Sequence, residues 1–141
     1  MEASEQIIID RPQKAVFEFM DVPENQQRIS PRLSSVETVG TLDNGGKRAT
    51  YTYRLFGLSS TGDVRGVEHE PPERLRFEMS GDIAGEIRWE FEPLDHGTRV
   101  TYAVEYEFGL PPLLDRALAP LVGRFNRREL QATLENLQQR M

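Results

Sequence analysis

A chain of 141 residues with no cysteine, 23 acidic and 17 basic side chains and a net charge of −6 is long enough to bury one substantial core without disulfides. The missing cysteines also exclude thiolate nucleophiles and zinc–cysteine centres. Both signs of charge are mixed along the sequence, against the clustered basic face that nucleic acid requires, and no apolar run approaches the roughly 20 residues of a membrane span. Met1-Glu2-Ala3-Ser4-Glu5 lacks the basic-then-apolar pattern of a signal peptide, so a cytoplasmic location is expected.

Glu5 to Asp10 is rich in β-branched residues and predicts a first strand. Pro12 then suits a first helical turn, and Val16, Phe19 and Met20 follow at helical spacing. Asp21-Val22-Pro23-Glu24 predicts a second helix, with Asp21 as its N-cap and Pro23 in its first turn; Ser30-Pro31 ends it.

From Leu33 to Phe108 the period changes to two. Val36 to Val39 leads into Asp43-Asn44-Gly45-Gly46, a hairpin signal. Tyr51, Tyr53 and Leu55 alternate with Thr50, Thr52 and Arg54. A strand from Thr61 to Glu70 is broken by Pro71-Pro72. Leu75, Phe77 and Met79 alternate with Arg76 and Glu78, and Ile87, Trp89 and Phe91 with Arg88, Glu90 and Glu92. After the turn at Asp95-His96-Gly97, Val100, Tyr102, Val104, Tyr106 and Phe108 oppose Thr101, Ala103, Glu105 and Glu107. One apolar and one charged face on consecutive strands predict an antiparallel sheet covered on one side only. No linker or repeat divides the chain, so residues 1–141 are expected to form one domain.

Leu110 to Met141 is helical in pattern and carries two stripes. Leu114, Leu118, Leu121 and Phe125 form the first, and Leu130, Leu134, Leu137 and Met141 the second. At 100° per residue they lie about 160° apart, so Pro120 and Gly123 are expected to kink or break the helix. The second stripe is expected to pack on the sheet. The first faces the cavity mouth, the early helices or a partner copy in a homodimer.

Several segments together carry a family resemblance. Ile7-Ile8-Ile9-Asp10-Arg11-Pro12-Gln13-Lys14-Ala15-Val16-Phe17 resembles the opening strand and helix of the START-like superfamily, in its polyketide cyclase/dehydrase branch. Glu70-Pro71-Pro72-Glu73-Arg74-Leu75, Trp89-Glu90-Phe91-Glu92-Pro93-Leu94 and Gly97-Thr98-Arg99-Val100-Thr101 resemble it too, in the family's order over nearly the whole chain. One departure is Ile29-Ser30-Pro31, where relatives often place tryptophan before the proline. The resemblance implies an α+β helix-grip fold: a seven-stranded antiparallel sheet wrapped around a long C-terminal helix, two short helices after the first strand, and a hydrophobic pocket. Relatives are carriers of lipids, sterols, quinones or hormones, aromatase/cyclases, or co-chaperone-like modules, and no universal catalytic motif transfers to this chain.

The sequence contains no Gly-rich phosphate loop or nucleophile elbow, and two histidines, His69 and His96, are too few for a three-histidine metal site. Both fall near turns, where a solvated role is expected, and no metal or cofactor is implied. Tyr51, Tyr53, Tyr102, Tyr106 and Trp89 share the inward phase, so they line a pocket or serve as core aromatics. Leu118 and Leu121 join the ligand-binding set. Glu68 is the catalytic candidate if Gly62, Val64, Gly66 and Glu68 face inward; Val67 argues for the opposite phase, and the glycines mark a place for a bulge. An inward Glu68 suits general acid or base work, and the glycines leave volume for a ligand. The leading expectation is binding of a hydrophobic small molecule. Its alternatives are a polyketide cyclase/dehydratase using Glu68 and the tyrosines without a cofactor, and a protein-interaction module using the outer leucines.

Overall fold

In the computed structural model the described backbone comprises residues 2–55, 57–108 and 112–141, and the described side chains within it exclude 55, 108, 112–115, 118–123 and 125. The elements run β1 (Glu2–Ile9), α1 (Gln13–Met20), α2 (Pro23–Ile29), β2 (Leu33–Thr41), β3 (Lys47–Leu55), β4 (Leu58–Glu70), β5 (Arg74–Gly81), β6 (Ile83–Leu94), β7 (Gly97–Phe108) and α3 (Pro112–Arg140). The strands form a seven-stranded antiparallel sheet ordered β1-β7-β6-β5-β4-β3-β2. Only β1 sits out of chain order, because the two short helices carry the chain from one edge of the sheet to the other. With α3 against the covered face, this is the helix-grip fold.

The alternation in β3, β5, β6 and β7 decides which face is covered. Leu75, Phe77, Trp89, Phe91 and Val100 are buried beneath α1 (Val16, Phe17, Met20), α2 (Ile29) and the last turns of α3 (Leu134, Leu137). The opposite face carries ion pairs such as Arg48–Asp63, Arg76–Glu86 and Arg99–Glu92. Such exposed pairs contribute at most about 1 kcal/mol each, so the apolar face carries most of the stability.

Three local expectations are corrected. Asp21 does not cap α2, whose N-cap is Val22 with no side-chain cap hydrogen bond; its carboxylate turns to His69 instead. Helix α3 runs as one element through Pro120 and Gly123, which excludes the break of the two outcomes expected there, kink or break. Its second stripe packs on the sheet through Leu130, Leu134, Leu137 and Met141, while the stripe Leu114, Leu118, Leu121 and Phe125 lies outside the described side chains.

The third correction concerns β4. Against β5 the register runs Val64↔Met79 and Gly66↔Phe77, then shifts so that Glu68 meets Arg76 and His69 meets Leu75. The extra residue at the bulge reverses the alternation. Gly66 shares the inward phase, Glu68 turns outward and His69 turns inward.

Candidate functional site

Along each strand the covered face changes character. Phe91 and Trp89 on β6 give way to Ile87 and Ile83, and Val100 on β7 to Tyr102, Val104 and Tyr106. On α3 Leu137 and Leu134 give way to Leu130, Glu129 and Asn126. One end of the layer between sheet and helix is close-packed. The other holds a cavity, closed at its side by Pro23, Gln26 and Ser30 of α2 and its following turn.

This cavity has a volume of about 100 Å³. That is several times the 10–15 Å³ or so that one water needs. Its wall is mainly apolar, with Leu33, Val36, Val64, Phe77 and Met79 completing the sheet side. Helix α2 is fixed as a wall by polar bonds: Glu24 accepts from the Thr38 amide and hydroxyl, Val36 N donates to Gln27 Oε1 at 3.1 Å, and Asn136 Nδ2 donates to Ile29 O at 2.9 Å.

Tyr51, Tyr53, Tyr102 and Tyr106 all lie on this wall. Burial raises every one of their phenol pKa values; nearby Glu129 adds to the effect at Tyr53, Tyr102 and Tyr106. All four therefore stay protonated near neutral pH and serve as hydrogen-bond donors. Tyr51 Oη is buried without a partner among the described residues, while Tyr106 Oη donates to Asn126 Oδ1. Trp89 is not part of the wall; it lies behind Tyr102, fully buried in the core. Leu118 and Leu121 lie outside the described side chains.

Glu68 stands on the outer face, 3.2 Å from Arg76 Nε and 3.6 Å from Arg74 Nη1. Of the two phases the sequence left open for it, the bulge gives the outward one, so the inward condition for its catalytic role is not met. Nor do the glycines open ligand volume: a Cβ on Gly62 would lie 2.6 Å from Tyr51 Oη, so the missing side chain is filled by the tyrosine ring. His69, expected in solvent, packs edge-on against Phe17 and places Nε2 3.0 Å from both carboxylate oxygens of Asp21.

Among the described residues, the carboxyl group that does reach the cavity is that of Glu129. Its Oε2 lies 3.5 Å from Arg32 Nε, and its Oε1 is buried without a partner among the described residues. Desolvation raises its pKa, against opposing charge and hydrogen bonds from Arg32. The periodicity that marked Leu130, Leu134 and Leu137 held the signal for it. Asn126, Glu129 and Thr133 fall on the same helical face, as polar residues set into an apolar stripe. Among the described residues no group of three or more His, Asp or Glu is placed to hold a metal ion, and no helix is long and apolar enough to cross a membrane.

The family model described as polyketide cyclase/dehydrase and lipid transport matches residues 1–141, the whole of the chain that builds this cavity. The chain belongs to this family. Among solved structures, this polyketide cyclase/dehydrase family member is similar to TTHA0849 from Thermus thermophilus, at 23% identity and a TM-score of 0.87 over 99% of this chain and 96% of that one. It is also similar to a START superfamily protein from Mycobacterium smegmatis, at 14% identity and a TM-score of 0.76 over 99% and 95% of the two chains. The Zhui aromatase/cyclase from Streptomyces sp. R1128 gives 14% identity and a TM-score of 0.76 over 99% and 94%. At these identities the likeness is one of fold. No curated protein matches the sequence. Family membership points to ligand binding or cyclase chemistry as the class of function.

Proposed function

We propose that the chain binds a hydrophobic small molecule in the cavity between β3–β7 and α3. The observation that carries this reading is an apolar cavity several waters in size, set beside a core cluster of buried apolar residues between sheet and helices. Apolar walls with a few convergent polar groups are the usual form of a small-molecule site. The phenols and Glu129 orient the ligand; the apolar walls supply most of its affinity. Native mass spectrometry of protein purified from its own source, with extraction of whatever is bound, tests the proposal. A retained apolar molecule supports it. Protein that arrives empty and fails to bind the neutral dye N-phenyl-1-naphthylamine overturns it.

A second reading is favoured by one observation, the unpartnered carboxylate oxygen of Glu129 with its raised pKa. In a cyclase or dehydratase Glu129 would transfer protons as general acid or base, with the tyrosines holding substrate oxygens. Glu129→Gln separates the two. Turnover of a cyclising substrate would fall about 100-fold or more, whereas binding of an apolar dye would persist.

A further inference from the structure

Glu129 and Asn126 stand three residues apart on α3, and the atoms that have no partner among the described residues are of opposite kind: an acceptor, Oε1, and a donor, Nδ2. Both residues line the cavity, Asn126 at 1% and Glu129 at 9% exposure. Neither orientation is arbitrary. Tyr106 Oη donates to Asn126 Oδ1, which fixes the amide with Nδ2 on the other side. Arg32 engages Glu129 Oε2, which leaves Oε1 for another partner. Both atoms are covered by their neighbours, and residues three apart on a helix have Cβ atoms about 5–6 Å apart, so one small group that turns the two side chains toward the cavity reaches both.

We infer that Glu129 selects ligands bearing a hydroxyl on an apolar frame. This rests on the cavity being a ligand site and names the chemistry of what it takes. The hydroxyl donates to Glu129 Oε1, and its oxygen accepts from Asn126 Nδ2. A hydroxyl is both donor and acceptor, so it answers both atoms at once. A ketone or ether offers only an acceptor and leaves Oε1 buried and unpaired. A carboxylate is repelled by Oε1, and an ammonium, which has no acceptor, is opposed by Arg32 and leaves Nδ2 unpaired.

Calorimetric titration of 2-naphthol and of its methyl ether, 2-methoxynaphthalene, tests this, with displacement of N-phenyl-1-naphthylamine reporting occupancy of the cavity. Wild-type protein is expected to favour the naphthol about 10- to 100-fold. Glu129→Leu is expected to lose that preference while still binding the ether. Glu129→Gln keeps size and serves if the leucine variant does not fold. Arg32 then claims the amide oxygen, the NH₂ faces the cavity, and the preference falls at least tenfold or reverses. Equal binding of the two probes by wild type, or a preference that survives both substitutions, overturns the inference and leaves the cavity reading standing. Failure of the dye itself to bind overturns both.

Discussion

The indole of Trp89 lies flat against the ring of Tyr102, with centroids 4.0 Å apart and planes within 5°. The two residues are direct partners across β6 and β7, so the stack is built into the register. Trp89 belongs to the core and Tyr102 to the cavity wall, which ties the rigidity of one to the geometry of the other. Replacing the indole by a smaller side chain leaves a void beside the tyrosine. Trp89→Leu is expected to cost about 3 kcal/mol, at the lower end of large-to-small core changes. Urea unfolding should show a lower midpoint with unchanged slope, and dye affinity should fall with it. An unchanged midpoint would show that Tyr102 needs no support from behind.

Glu129 makes stability depend on pH with a definite sign. Burial raises its pKa above the ordinary 4.5, so the folded chain holds this proton more firmly than the unfolded chain does. Its contribution is fully present below the ordinary value and is lost as pH rises through the folded one. Glu129→Gln removes that loss. The variant should match wild type in melting temperature near about pH 4 and exceed it near about pH 7. Arg32 keeps the glutamine's amide oxygen as its partner and remains half-exposed to water. A melting-temperature difference that does not change with pH contradicts the assignment.

What the sequence made legible follows from which periodicities survive folding. Strands β3, β6 and β7 carry no extra residue between Tyr51 and Tyr53, Ile87 and Phe91, or Val100 and Tyr106 (the shift beside Tyr53 lies on β2), so a period of two puts those residues on the covered face. In β4 a single extra residue beside Gly66, where the glycines marked a place for a bulge, exchanged the faces of Glu68 and His69; the glycines mark the place, but not which residues end up inward. Asp21 had the composition of a helix cap, yet a histidine 48 residues away competed for it. Glu129 follows Arg127 and Arg128 and looks like another solvated charge until its phase is set against Leu130 and Leu134.

Gly62 is a packing requirement for Tyr51. An added Cβ would come within 2.5 Å of Ser80 O and 2.6 Å of Tyr51 Oη, and the backbone contact has no flexible end to yield. Gly62→Ala should therefore displace the phenol into the cavity and cost about 1–3 kcal/mol, as overpacking does. Lower dye capacity together with lower stability is the expected pair of results. Gly62→Ala combined with Tyr51→Phe should recover part of both losses, because the nearest side-chain atom is the hydroxyl.

Asp21 and His69 join the junction of α1 and α2 to the far end of β4, with Lys47 Nζ 3.7 Å from the same carboxylate. His69 is further held by the edge of Phe17, and the backbone at Gly45 leaves no room for a Cβ, which would lie 2.9 Å from its Nδ1. Removing either partner strands the other in a partly buried site. Asp21→Ala and His69→Ala should each cost about 1–3 kcal/mol, and the double variant less than their sum. A coupling of about 1 kcal/mol or more in the double-mutant cycle is expected, since Nε2 lies 3.0 Å from both carboxylate oxygens in a partly buried site. Strict additivity would mean that the contact holds no energy, and α2 would then owe its position to Glu24, Gln27 and the core alone.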